Sequence, residues 1–65
     1  MNILDVFWEN VDWHRKNKKI PWYELVGGNS GLATSHKLNV SLKRAQEIAE
    51  LLDIDDYAIL FEPLD

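Results

Sequence analysis

From Asn2 to Lys16 the apolar residues Leu4, Phe7, Trp8 and Val11, extended by the aliphatic stem of Arg15, recur at steps of three and four. That is the period of an amphipathic helix with one buried face. A narrower stripe of Ile3, Val6 and Trp13 lies off that face and reads as core edge or contact surface. The run Asn17-Lys18-Lys19 closes the helix, and Pro21, whose fixed φ suits a first helical position, opens a short second one to Val26 with Trp22 and Leu25 inward. Gly27, Gly28 and Asn29 stop it, because both residue types tolerate the positive φ of a helix end. Asn29 or Ser30 then caps a third helix running to about Leu38, whose apolar residues are only Leu32, Ala33 and Leu38. So few hydrophobes give it few core contacts and leave much of its surface free. Ser41 is a good N-cap for a fourth helix with Leu42, Ala45, Ile48, Ala49 and Leu52 on one face. Asp53 or Asp55 restarts a last turn or two, where Tyr57, Leu60 and Phe61 share a face before Pro63. The pattern predicts an all-α fold, a compact bundle of four to five helices spanning residues 1–65 as one domain.

The size agrees: 65 residues, 46% of them hydrophobic, can fill one thin core and not two. Cysteine is absent, which removes disulfide staples and thiolate metal sites and fits a reducing compartment. The N-terminal stretch lacks a basic region ahead of an apolar run, and no run approaches membrane length, so a cytoplasmic protein is expected. A net charge of -4 argues against nucleic acid only until its distribution is read. Residues 1–12 carry Asp5, Glu9 and Asp12 and no base; residues 13–46 carry all seven bases against Glu24 alone; residues 47–65 carry seven acids and no base. A fold that gathers the middle segment on one side has a basic working face and an acidic back.

Two short helices joined by a glycine turn, the second polar and flanked by bases, form the helix-turn-helix pattern. The long first helix, the run from Pro21 to Ser30 (PWYELVGGNS) and the run from Ser41 to Ile54 (SLKRAQEIAELLDI) together resemble phage Cro and repressor-type regulators, the XRE-like, lambda-repressor-like helix-turn-helix family. The likeness covers nearly the whole chain and is strongest from Ser41 to Ile54, similar to the family's serine-capped, alanine-rich fourth helix. It implies a sequence-specific transcription regulator, a repressor acting by operator occlusion, with the segment after the glycine turn in the major groove. Asn29, Ser30, Gly31, Thr34, Ser35, His36 and Lys37 are then the recognition residues. The chemistry agrees, since a helix N-terminus attracts phosphate, Thr34, Ser35 and His36 can meet base edges, and the Thr34 methyl can meet a thymine methyl. Arg15, Lys16, Lys18, Lys19, Lys43 and Arg44 are the matching phosphate contacts, and the Trp22 indole N–H stands where the family usually has a glutamine. Ile20-Pro21-Trp22, the doubled Gly27-Gly28 and a third helix without arginine depart from the family's pattern.

Other chemistries lack their residues. His14 and His36 have no metal-ligand spacing, the glycine run has no Gly-Lys-Ser/Thr ending, and Ser30, Ser35 and Ser41 have no neighbouring base. Asp53, Asp55 and Asp56 fall where helix caps are needed. No enzyme activity and no cofactor are expected. A module this small buries only about 600–1,000 Å² on DNA, so a homodimer on a two-fold operator is expected, through Ala58 to Leu64 or the Trp13 stripe. The alternative is a helix-turn-helix scaffold acting as a protein-binding inhibitor or adaptor, of the phage anti-defence kind, through an acidic C-terminal face carrying Glu47, Glu50 and Asp56.

Overall fold

The Asn2 side-chain oxygen accepts the Leu4 N–H at 2.8 Å and starts helix α1, Ile3–Lys18, in a computed structural model that describes residues 2–64. Helices α2 (Trp22–Val26), α3 (Ser30–Thr34) and α4 (Leu42–Leu51) follow, with 3₁₀ turns at Gly27–Asn29 and Tyr57–Phe61. The described residues are all-helical, without a strand, and compact, with principal extents of 27 × 23 × 22 Å. Only α1 and α4 exceed two turns; α2 and α3 have five residues each. None of these helices is long and apolar enough to cross a membrane.

Phe7, Trp8 and Val11 of α1 pack against Leu25 and Val26 of α2, Ala33 of α3, Ala45, Ile48 and Ala49 of α4, and Leu52 and Leu60. Phe7 stacks on Phe61 at 5.3 Å between ring centroids and meets Trp8 edge-on at 4.8 Å. Trp8 is fully buried, and its indole N–H donates to the Leu38 carbonyl at 2.9 Å, which fixes the chain after α3. The expected α1 face is therefore the core face. Val6, placed on the outer stripe by its spacing, is buried as well.

Among the described residues Asn10 is the one buried polar residue of the core. Its amide donates to the carbonyls of Val6 (2.9 Å), Leu60 (3.1 Å) and Glu62 (2.7 Å), tying the C-terminal turn to α1.

The helix ends correct several expectations. Three of them close with the same paired bonds, a Schellman motif. At α1, Ile20 N–H reaches Arg15 O and Lys19 N–H reaches Lys16 O; at α3, Lys37 reaches Leu32 and His36 reaches Ala33; at α4, Ile54 reaches Ala49 and Asp53 reaches Glu50. The left-handed residues are Lys19 (φ 57), His36 (φ 62) and Asp53 (φ 59), none of them glycine. Helix α3 thus stops at Thr34, not near Leu38, because His36 reverses the chain. Asp53 ends α4 and opens nothing; Asp56 caps the last turn, accepting the Ala58 N–H at 3.0 Å. Neither Asn29 nor Ser30 caps α3, since the helix grows directly out of the 3₁₀ turn and Ser30 Oγ donates back to Gly27 O. Pro21 sits one position before α2, and of the turn residues only Gly27 has positive φ. Ser41 caps α4 as expected, accepting the Arg44 N–H at 3.0 Å. Leu42, placed on the α4 core face by its spacing, is 85% exposed because it is the first residue of the helix, beyond the end of the core.

Candidate nucleic-acid interface

Ala33 is the only fully buried residue of α3, and it anchors the helix to the core through one methyl. Gly31, Leu32, Thr34 and Ser35 are exposed, while Ser30 and His36 are partly covered. The hydroxyls bond inward: Thr34 Oγ1 donates to Ser30 O at 2.8 Å, and Ser35 Oγ to Gly31 O at 3.0 Å and Leu32 O at 3.1 Å. His36 Nδ1 lies 3.1 Å from Asp5 Oδ1, so the loop after α3 is tied to the first turn of α1. Asn29 is exposed at the helix entrance, with no side-chain capping bond.

The bases divide into two groups. Lys37 in the α3–α4 loop and Lys43 in the first turn of α4 are exposed, with no side-chain partner among the described residues. Arg44, next to Lys43 in the chain, donates to the Leu25 carbonyl of α2 at 2.5 Å and pairs with Glu47 at 3.5 Å. The second group sits at the far end of α1. Arg15 pairs with Asp12 at 2.5 Å, donates to Ile20 O at 3.3 Å and lies 4.8 Å over the Trp22 ring; Lys16 pairs with Asp12 at 3.1 Å. Lys18 donates to the Leu52 and Asp53 carbonyls at the α4 C-terminus, satisfying its unpaired acceptors. From Lys43 to the Leu52 cap the helix advances by about 13–14 Å, which separates that end from Lys43. Lys19 is exposed and without a side-chain partner among the described residues.

Trp22 is half-buried against Trp8, with centroids 6.0 Å apart. Its indole N–H makes no bond within the described residues and is not buried, so it is available to an outside acceptor. Desolvation pushes the Asp12 carboxyl up, but hydrogen bonds and charge from Arg15 and Lys16 outweigh it and hold the group below its ordinary value. Desolvation first, and the Lys18 charge second, hold His14 below the usual imidazole value.

No protein-family model, curated protein or solved structure matches this chain.

The surfaces expected to carry a second copy are only partly free. Leu60 is fully buried and Phe61 packs on the core, whereas Trp13 is 53% and Leu64 47% exposed. An apolar groove of about 190 Å³ opens at Phe61 between Ile3, Leu4 and Phe7 of α1, Val40 and Leu42. An adjoining hollow of about 320 Å³ runs past Gln46 to Tyr57. The acidic side chains Glu47, Glu50, Asp53, Asp55, Asp56 and Glu62 are all exposed; Asp65 lies outside the described residues.

Sequence reasoning missed Leu32 and Asp5. Leu32 counted only among the few apolar residues of α3, with no face assigned; with Ala33 inward it stands about 100° round the helix, on open surface. Asp5 counted only as negative charge, and nothing local in the sequence signals its contact with a residue 31 positions away.

Proposed function

We propose that the chain is a sequence-specific DNA-binding regulator of the phage Cro and repressor type, with α2 and α3 as its helix-turn-helix and α3 as the helix laid in the major groove. The carrying observation is the exposure of α3, anchored by Ala33 alone, with the unpaired ammonium group of Lys37 just beyond its end and that of Lys43 in the first turn of the next helix. Helices are buried in small domains because their apolar face drives folding; one that keeps a single methyl inside is available to a partner. Lys37 and Lys43 act as phosphate contacts, and Trp22 donates its indole N–H to a phosphate oxygen from the other end of α2. Lys18 is engaged at the end of α4 and contributes field, not contact. Two copies on a two-fold operator, half-sites about one helical turn apart, block a promoter without catalysing any reaction.

Selection of genomic or random duplex fragments on purified protein tests the reading. Enrichment of one discrete, dyad-related site supports it, and recovery of fragments at their input frequencies contradicts it. A second reading rests on the exposed acidic side chains of α4 and the C-terminal segment, which suit a basic protein partner. Under that reading, reversing Glu47, Glu50 and Asp56 to lysine abolishes binding to the partner and leaves DNA uninvolved.

A further inference from the structure

We propose that the exposed face of α3 reads adenine amino groups and thymine methyls, so that the preferred duplex is A·T-rich under Leu32, Thr34 and Ser35; this rests on the DNA-binding reading above. A hydroxyl carries one proton, and those of Thr34 and Ser35 are already donated to Ser30 O and Gly31 O, at 2.8 and 3.0 Å. Both oxygens therefore face outward as acceptors only. The Asp5 carboxylate can only accept, so His36 Nδ1 carries a proton and turns it inward at 3.1 Å, away from the exposed face. From Ser30 to His36 there is no arginine, lysine, asparagine or glutamine to supply a donor.

The base edges sort against this face. Guanine shows the major groove two acceptors, N7 and O6, which meet acceptors here with no proton between them. Adenine offers the N6 amino donor, and its partner thymine offers a methyl. Leu32, 49% exposed, and the Thr34 methyl supply the apolar surface for that methyl. Cytosine also has an amino donor, but its pair brings guanine and no methyl. Turning Thr34 or Ser35 outward as a donor breaks its internal bond, a penalty of about fivefold in affinity.

The test starts from the duplex selected out of a random pool and replaces single bases by analogues, with affinity read by fluorescence anisotropy. Thymine to deoxyuridine removes one methyl and is expected to weaken binding about three- to fourfold at each contacted step. Adenine to purine, which lacks the N6 amino group, is expected to weaken it, and guanine to 7-deazaguanine to leave it unchanged. In Leu32→Ala the penalty for deoxyuridine disappears at the position that Leu32 covers. Equal affinity for thymine and uracil throughout, or a selected site whose binding falls with 7-deazaguanine, overturns the inference while the DNA-binding reading stands. A pool with no enriched duplex overturns both.

Discussion

Replacing Asn10 by alanine removes the only side chain that, among the described residues, ties α1 to the C-terminal turn by hydrogen bonds. The residue is 3% exposed, and in the variant the buried Leu60 carbonyl and the part-buried Glu62 carbonyl lose the Asn10 donor at 3.1 and 2.7 Å. Each lost bond costs about 1 kcal/mol net, and a buried carbonyl left unpaired costs about 1–3 kcal/mol. The Val6 carbonyl keeps its helical partner, so the sum is about 2–4 kcal/mol, a large share of the roughly 5 kcal/mol available to a domain this small. At about 4–8 °C per kcal/mol the midpoint falls by about 10–30 °C. Urea and thermal unfolding followed by tryptophan fluorescence measure it. Asn10→Asp keeps the shape but has no donor when ionised, and should fall at least as far. If either variant stays within about 0.5 kcal/mol of wild type, Asn10 does not hold this turn.

Further outcomes follow from the turns, the charges and the groove. Gly27→Ala should destabilise by about 1–2 kcal/mol through its φ of +59°, although no atom lies within 4 Å of the added methyl, while Gly28→Ala should be near neutral; equal urea midpoints would reject the turn geometry. Under the proposed two-fold reading, with the groove that Leu42 and Phe61 line as the contact, Leu42→Glu at an 85% exposed position should leave the unfolding midpoint within about 0.5 kcal/mol and give a monomer mass in sedimentation where wild type gives a dimer; equal masses would place the two-fold contact elsewhere. Acid should weaken the fold in two windows. His14, held below 6.5, stays neutral in the fold while the unfolded chain takes up its proton, so stability declines as pH falls through that value. Asp12, held below 3.8, contributes above that pH, and its contribution is lost as pH falls through the lower, folded value. Unfolding midpoints against pH check both, and His14→Gln should flatten the upper window; a slope unchanged by that substitution would reject it.

Helices α1 and α4 were legible because each combines a three-and-four apolar period with a side-chain cap, Asn2 and Ser41. Their ends were not. Lys19, His36 and Asp53 adopt left-handed geometry without being glycine, and the pairing that holds them there is made by the backbone. Periodicity also cannot say where the core stops, which is why Leu42 looked internal. Asn10 reads locally as a polar interruption; its burial depends on carbonyls 50 and 52 positions away. At the candidate interface, the poverty of apolar residues in α3 foretold its exposure. The commitments of Arg15, Lys18 and Arg44 were hidden, because the carbonyls they bind at Ile20, Leu52 and Leu25 reach them only in the folded chain.

In the proposed complex Lys37, after α3, and Lys43, in the first turn of α4, meet phosphates, and the salt dependence of duplex binding measures that directly. Each neutralised phosphate contributes about 0.9 to the fall of log K with log salt. With Lys37 and Lys43 on each of two subunits, a slope of at least about 3.6 is expected, dropping by about that amount in the Lys37→Glu, Lys43→Glu variant and staying nearly unchanged in Lys18→Glu. A flat wild-type salt profile, or equal losses from all three lysines, would contradict the placement of DNA on this face.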